Sequence, residues 1–311
     1  MKPTGPLRSA PSAAPRPFGI AGVQMSVVPW DVDATIDKMA AIGGRIVRDF
    51  PWVGMLVFHE LAPSAVVQFD SAPTQEQLAR GRGPIPGPIS DRLCEVAARL
   101  GRWVVPGSLY ETDGDQLYNT AIAISPDGKI AARYRKLFPW YPFEAGSKPG
   151  AEYGVFDVPD VGRFGLSICY DMWFPETVRT LAWMGAEVIL HPTMTPTQDR
   201  ELELVLSRAH AITNGVYFVD VNGVGPWGGG RSLLVDPDGR ILHQAGEGET
   251  FFVERLDLEH VRRVREHGTM GMAQTWKQLR DSGMRFPPYQ EGSAEGEVFR
   301  NLGEIRGAKD G

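Results

Sequence analysis

Four residues in this 311-residue sequence have the types and settings that chemistry requires: Glu60, Lys136, Glu144 and Cys169. Cys169 ends an apolar run and directly precedes a helix start, in LSICYDMWFPE. A strand-to-helix turn lifts a side chain at the carboxyl edge of a sheet, where ligands collect in α/β folds. Backbone N–H groups entering such a helix point the same way and can bind a developing oxyanion. A thiolate is a strong nucleophile, but a free thiol is mostly protonated at neutral pH, so this cysteine needs a base and a nearby positive charge. Glu60 occupies an equivalent place, at the end of the apolar run VGMLVF. Desolvation there would raise its pKa and suit it to general-base work.

Lys136 follows a hairpin strand in RYRKLFPW. Glu144 sits in the aromatic- and proline-rich stretch WYPFEAG, where a charge makes sense only with a partner. Each of these residues also has a plain structural reading: a buried core cysteine, a cap or surface ion pair for Glu60, an exposed strand-end lysine. That plain reading is adopted for Cys94, which lies on an apolar-rich helix.

The elements that would position these groups follow from periodicity. Residues 18–25 read as a strand buried on both faces, and Asp31 as the N-cap of a helix carrying Val32, Ile36, Met39, Ile46 and Val47 on one side. A strand over 53–58 ends at His59-Glu60. Residues 73–88, rich in Pro and Gly, read as a long loop and a candidate lid. A second amphipathic helix spans Ile89 to Leu100, followed by a strand at 103–108. Strands at 119–125 and 129–135 flank the turn Asp127-Gly128. A strand over 164–168 leads into a helix begun by Pro175 and stopped by Gly185. Further strands fall at 188–191, 216–222, 231–236, 240–244 and 250–257, with a helix over 199–213. Strands alternating with helices and broken by hairpins predict mixed sheets with helices outside, in one domain over 18–266. Residues 1–17 read as a disordered tail, and 267–311 as a C-terminal extension that could reach a subunit interface.

Composition narrows the function. A formal net charge of −6 with no basic stripe argues against nucleic acid. No apolar run approaches a membrane span. Two cysteines do not make a disulfide framework and fit a reducing, cytoplasmic setting; Lys2 and Arg8 are not followed by the apolar region of a signal peptide. The six histidines, at 59, 191, 210, 243, 260 and 267, lack ligand spacing, so no metal is expected. No G-x-S-x-G supports a serine triad.

Taken together, the order Glu60, Lys136, Glu144, Cys169, set in FHEL, YRKLFPWYPFE and CYDMWFPE, resembles the nitrilase, or carbon–nitrogen hydrolase, superfamily. GVQM at 22–25, YNTAIAISPDGKI at 118–130, GAEVILHP at 185–192, the run SRAHAITNGVYFVDVNGVG and DPDGRIL at 236–242 extend the match over about residues 18 to 258. The resemblance implies an αββα sandwich with mixed sheets and helices on the outer faces, assembled as a homodimer or a larger homo-oligomer. It also implies a cysteine nucleophile at 169, a general base at Glu60, an oxyanion-stabilising Lys136, a positioning Glu144, and a second oxyanion donor in the Tyr170 amide. No cofactor is implied.

The superfamily cleaves amides, carbamoyl amines and nitriles. Cys169-Tyr170-Asp171 is similar to its amidase branches, whereas nitrilases carry Trp-Glu after the cysteine. Branches acting on carboxylated substrates place arginine three or four residues beyond the cysteine, and here those positions hold Met172 and Trp173. An arginine fork is the natural partner of a carboxylate, so its absence predicts an uncharged acyl group on a small primary amide. Trp140, Tyr141, Phe143 and Trp227 are candidate pocket aromatics, joined by Met172, Trp173, Thr193, Met194 and Thr195. Competing readings are an N-carbamoyl amine amidohydrolase, a nitrilase, and a catalytically silent scaffold that works by binding.

Overall fold

The computed structural model describes residues 14–66, 74–141, 144–225 and 228–286. Along the chain, β1 (Pro17–Gln24), α1 (Val32–Asp49) and β2 (Val53–Phe58) come first, then α2 (Gln75–Arg80), β3 (Arg82–Gly83), α3 (Pro88–Leu100) and β4 (Trp103–Val105). β5 (Ser108–Asp113), β6 (Gln116–Ile124) and β7 (Ile130–Arg135) form a meander. β8 (Gly154–Val158) and β9 (Gly162–Leu166) lead to a 3-10 turn at Cys169–Trp173 and α4 (Pro175–Trp183). β10 (Val188–Thr193), α5 (Arg200–Asn214), β11 (Tyr217–Asn222), β12 (Leu233–Val235), β13 (Ile241–Gln244), β14 (Thr250–Asp257), α6 (Leu258–His267) and α7 (Thr275–Asp281) complete it.

Among the described residues the strands form two sheets. One has eight strands, in the order β14-β1-β2-β4-β6-β5-β3 with β7 on β6; the other has six, β13-β12-β11-β10-β9-β8. Apolar side chains from both sheets, including Ile20, Met55, Val57, Phe164, Leu190 and Val219, meet in one core between them. The outer face of the first sheet is covered by Ile36, Met39 and Ile46 of α1 and Leu93 and Val96 of α3. The outer face of the second is covered by Val178 and Leu181 of α4 and Ala211 of α5. The layers therefore run helix, sheet, sheet, helix: the expected αββα sandwich. β10 and β11 are buried throughout, and β2 nearly so, because both their faces are covered. No described helix is long and apolar enough to cross a membrane.

Several sequence expectations need correction. Residues 73–88 are not all loop: α2 is closed by a capping box in which Thr74 Oγ1 accepts from Gln77 N and Gln77 Oε1 accepts from Thr74 N. The strand expected over 103–108 stops at Val105, because Gly107 turns the chain at φ +88 and packs its backbone on His59. A Cβ at Gly107 would lie 1.7 Å from the His59 carbonyl oxygen, so only glycine fits beside the turn that carries Glu60. β5, β8 and α6 are elements the periodicity did not reveal. Of the expected N-terminal tail, residues 1–13 lie outside the described residues. Arg16 is anchored: its Nη1 and Nη2 donate to the carbonyls of Val161 and Leu258, 2.9 and 3.0 Å away, and it pairs with Glu187. In the C-terminal extension, Trp276 packs on the α4–α5 core between Arg179 and Arg265; residues 287–311 lie outside the described residues.

Candidate active site

Strands of both sheets deliver their carboxyl ends to one place. Glu60 follows β2, Lys136 follows β7, Cys169 lies three residues past β9, and Thr193 to Thr195 close β10. Lys136 Nζ lies 2.9 Å from Glu60 Oε1 and 2.5 Å from Glu144 Oε2, with the three side chains at most 5% exposed. Asn119, on β6, donates through Nδ2 to both carboxylates, at 2.8 Å to Glu60 and 2.9 Å to Glu144. The Trp140 amide donates to Glu144 at 2.7 Å. Glu144 therefore has the partner that its aromatic surroundings demanded.

The turn carrying Glu60 is fixed on each side. The Glu60 amide donates to the Thr193 carbonyl at 3.2 Å, and the Leu61 amide to Ser108 Oγ at 3.1 Å. Cys169 sits at φ +45, a left-handed conformation that costs a non-glycine residue about 1–3 kcal/mol and persists only where the surroundings impose it. Asp171 does much of the imposing. Its carboxylate accepts from the Ile168 amide (2.9 Å), the Phe138 amide (3.0 Å) and the Tyr134 hydroxyl (2.6 Å), so it ties the cysteine turn to the end of β7 and to Lys136. Tyr170, whose amide enters the 3-10 turn, packs edge-on against Phe174.

The electrostatics match the geometry. Burial raises the Glu60 pKa above its ordinary value, Lys136 opposes the rise, and Glu144 adds to it. Burial works against charge on Lys136, but Glu144 and Glu60 outweigh it and hold the ammonium well above its ordinary pKa. The Cys169 thiol is pushed well up, first by burial and then by Glu60, with Lys136 opposing. The resting sulfur is therefore a thiol, set beside Glu60 and the Lys136 ammonium.

On the opposite side of the sulfur, Thr195 Oγ1 lies 3.8 Å from Cys169 Sγ and 3.1 Å from Thr193 Oγ1, and donates to Glu203 Oε1 at 3.0 Å. Asn222 holds Thr195 in place, accepting from its amide at 2.9 Å and donating to its carbonyl at 3.0 Å. A small space of about 20 Å³ opens beside the sulfur, lined by Trp140, Tyr170, Trp173, Met194, Thr195 and Glu203 together with Cys169, Thr197 and Asp199. A larger surface depression of about 480 Å³, around Asp113, Arg133 and Arg135, shares none of these residues.

The expected pocket residues divide. Trp140, Trp173, Met194 and Thr195 line the space, and Thr193 stands behind it, fully buried. Met172 does not line it. Its side chain is buried between the second sheet and α4–α5, with Val178, Leu181 and Phe218, and its carbonyl accepts from His210 Nε2 at 2.7 Å. Tyr141 is 41% exposed and is absent from the lining. Phe143 and Trp227 lie outside the described residues. Asn119, Glu203 and Asn222 were not singled out from the sequence, and Asp171 entered only as part of the Cys169-Tyr170-Asp171 motif. Asn119 and Asn222 lie in stretches that carried the family resemblance, which was the available signal; Glu203, on a polar helix, gave none.

A family model for carbon–nitrogen hydrolases matches residues 19–266. The chain belongs to the carbon–nitrogen hydrolase family. It is therefore an enzyme of the nitrilase superfamily, with an amidase-like character. It is 32% identical to the omega-amidase NIT2 of Mus musculus over 201 residues, covering 58% of this chain and 71% of that protein. It is 36% identical to a nitrilase of Pyrococcus abyssi over 201 residues, covering 62% and 74%. An amidase from Nesterenkonia sp. superposes with a TM-score of 0.67 at 26% identity, covering 80% of this chain and 94% of that one. A structure of a mutant of the amidase from Nesterenkonia sp. AN1 shows covalent addition of the acetamide moiety of fluoroacetamide at the active-site cysteine.

Proposed function

We propose that the protein hydrolyses a small, neutral primary amide to a carboxylic acid and ammonia through a thioester on Cys169. The observation that carries this reading is the convergence of Glu60 and Glu144 on the Lys136 ammonium, next to a thiol whose pKa responds to both Glu60 and Lys136. Glu60 takes the thiol proton as sulfur attacks the amide carbon. Its burial-raised pKa suits it both to accept that proton and to return it. An ammonium has three donors. Lys136 directs two to Glu60 and Glu144, and the third, with the Tyr170 N–H, holds the tetrahedral oxyanion. Glu60 then protonates the leaving nitrogen and ammonia departs. Water activated by the same carboxylate attacks the thioester and releases the acid. Glu144, held by Lys136, Asn119 and the Trp140 amide, fixes the ammonium's position.

The lining of the small space supports the neutral acyl group. Trp173 occupies one of the two positions where branches acting on carboxylated substrates place arginine, and among the described lining residues the charged ones are Asp199 and Glu203, both acidic. A substrate carboxylate would meet repulsion there and no fork to bind it. An ammonia-release screen tests this. Small neutral amides should turn over faster than monoamides of dicarboxylic acids, carbamoyl amines and nitriles. Preference for a carboxylated amide, or for a nitrile over its amide, would overturn the assignment.

A homodimer fits the exposed apolar side chains Leu202, Val205 and Ile212 of α5 and Ile241 and Leu242 of β13; of these, Val205, Ile212 and Ile241 line a groove of about 400 Å³.

A further inference from the structure

We propose that Glu203 acts on the Cys169 sulfur through Thr195, as a positioning residue that decides whether the Thr195 hydroxyl accepts a hydrogen bond from the sulfur or donates one to it. This rests on the reading of Cys169 as the nucleophile. The contacts form a chain: Glu203 Oε1 to Thr195 Oγ1 at 3.0 Å, then Thr195 Oγ1 to Cys169 Sγ at 3.8 Å. Thr195 has little freedom, because Asn222 grips its backbone on two sides.

A hydroxyl has one hydrogen to give. An ionised Glu203 is acceptor-only, so it takes the Thr195 hydrogen and leaves oxygen lone pairs facing the sulfur. That arrangement suits a thiol, which can donate, and opposes a thiolate, which cannot. A protonated Glu203 can donate to Thr195 instead, and the freed hydroxyl hydrogen can then turn to the thiolate, whose charge makes it a stronger acceptor than Thr193 Oγ1, 3.1 Å away. Charge acts in the same direction, since an ionised Glu203 also raises the thiol pKa directly. No proton passes from sulfur to Glu203 in this scheme; Glu60 remains the acceptor.

The setting makes both forms of Glu203 accessible near neutrality. Burial pushes its carboxyl up to about 7, with Arg200 opposing and Asp220 adding to the rise. Arg200 Nη1, on the same helix, lies 3.1 Å from Glu203 Oε2 and 2.8 Å from Asp220 Oδ2 on β11. Asp199 shares the wall of the small space, and the Cys169 thiol faces Glu203 across Thr195. Beyond the sulfur stand Glu60 and Lys136. His191, buried on β10, is held neutral, its pKa well below the ordinary value because of burial and then Arg200.

The test is the pH dependence of Cys169 alkylation by iodoacetamide, read on the Cys169 peptide by mass spectrometry so that Cys94 is separated. Wild type, Glu203→Gln, Thr195→Ser, Thr195→Val and the Thr195→Val/Glu203→Gln double variant are compared, with melting curves for each. The wild-type profile should break near pH 7. Glu203→Gln should lose that break and alkylate about tenfold faster at pH 8, the effect of about one pKa unit on the thiol. Thr195→Ser should keep the wild-type profile, and Thr195→Val should remove most of the gain in the double variant. Superimposable profiles for folded Glu203→Gln and wild type would overturn the proposal, as would full acceleration in the double variant. Should Glu203→Gln fail to fold, identical profiles for Thr195→Ser and Thr195→Val would overturn it equally. Failure of the nucleophile assignment is a separate result: Cys169→Ala would keep its turnover whatever the alkylation profiles show.

Discussion

Two buried ion clusters flank Cys169, each made of one cation and two carboxylates, yet they are wired differently. Around the first sheet, Lys136 lies between Glu60 and Glu144, with Asn119 donating a hydrogen bond to each carboxylate. Around the second, Arg200 lies between Glu203 and Asp220 and spends a further donor on the Arg231 carbonyl. An ammonium is a point charge with rotatable donors, so one can turn to a new oxyanion; a guanidinium is a rigid fork whose donors are committed by shape. The lysine cluster is thus suited to meeting charge that appears during a reaction. The arginine cluster is suited to holding α5 against β11 and leaving one carboxylate, Glu203, in touch with Thr195.

Replacing each cation by an unbranched neutral chain should separate the two roles. Lys136→Met should lower kcat by about 10²–10³-fold or more, the usual cost of losing one oxyanion donor, in steady-state ammonia release. Arg200→Met should instead show its main effect in denaturant melts, a loss of about 3–5 kcal/mol from two buried carboxylates left without their partner. A smaller kcat loss for Lys136→Met than for Arg200→Met would reverse the comparison.

A second prediction concerns pH. The folded-state pKa of Glu203, about 7, exceeds its unfolded value, so between roughly pH 4.5 and 7 the native state binds more protons than the unfolded state. Stability contributed by this group is then present at low pH and lost as pH rises through 7. Relative to wild type, Glu203→Gln should gain stability between pH 5 and pH 8, by on the order of 1–3 kcal/mol, measured as the change in the difference between their melting midpoints. A constant difference across that range would show that Glu203 is ionised throughout.

The smallest expected effect is at Tyr134→Phe, which removes one of the three donors to buried Asp171. It should cost about 1–3 kcal/mol of stability, because a buried carboxylate oxygen loses its partner. It should slow turnover by less than the change at Lys136. A larger catalytic than structural effect would make Asp171 more than a tie for the cysteine turn.

How much of this was legible in sequence follows from how local each signal is. Glu60 and Cys169 could be found because each caps an apolar strand, and Glu144 because a lone charge among Trp140, Tyr141 and Phe143 requires a partner. Their convergence was available only through the family resemblance, since the groups come from strands of two sheets. Asn119 and Glu203 matter through partners 59 and 8 positions away in sequence, and no local pattern encodes such meetings. Met172 was assigned to the pocket together with Trp173 because the two stand where branches acting on carboxylated substrates place arginine; Met172 is fully buried with Val178 and Leu181, whereas Trp173 packs on the edge of the same cluster and reaches the space beside the sulfur. α6 was missed because its charged run shows only Leu258, Val261 and Val264 to the core. α2 was missed although Thr74 and Gln77 spell a capping box, since the surrounding Pro and Gly dominated the reading.

The most direct test of the account is to stop turnover of a small neutral primary amide with acid and weigh the Cys169 peptide. The mass should increase by that of the acyl group less one hydrogen, and Cys169→Ala should neither carry the adduct nor release ammonia. Ammonia release at the wild-type rate from Cys169→Ala, with no acyl mass on the wild-type peptide, would contradict it.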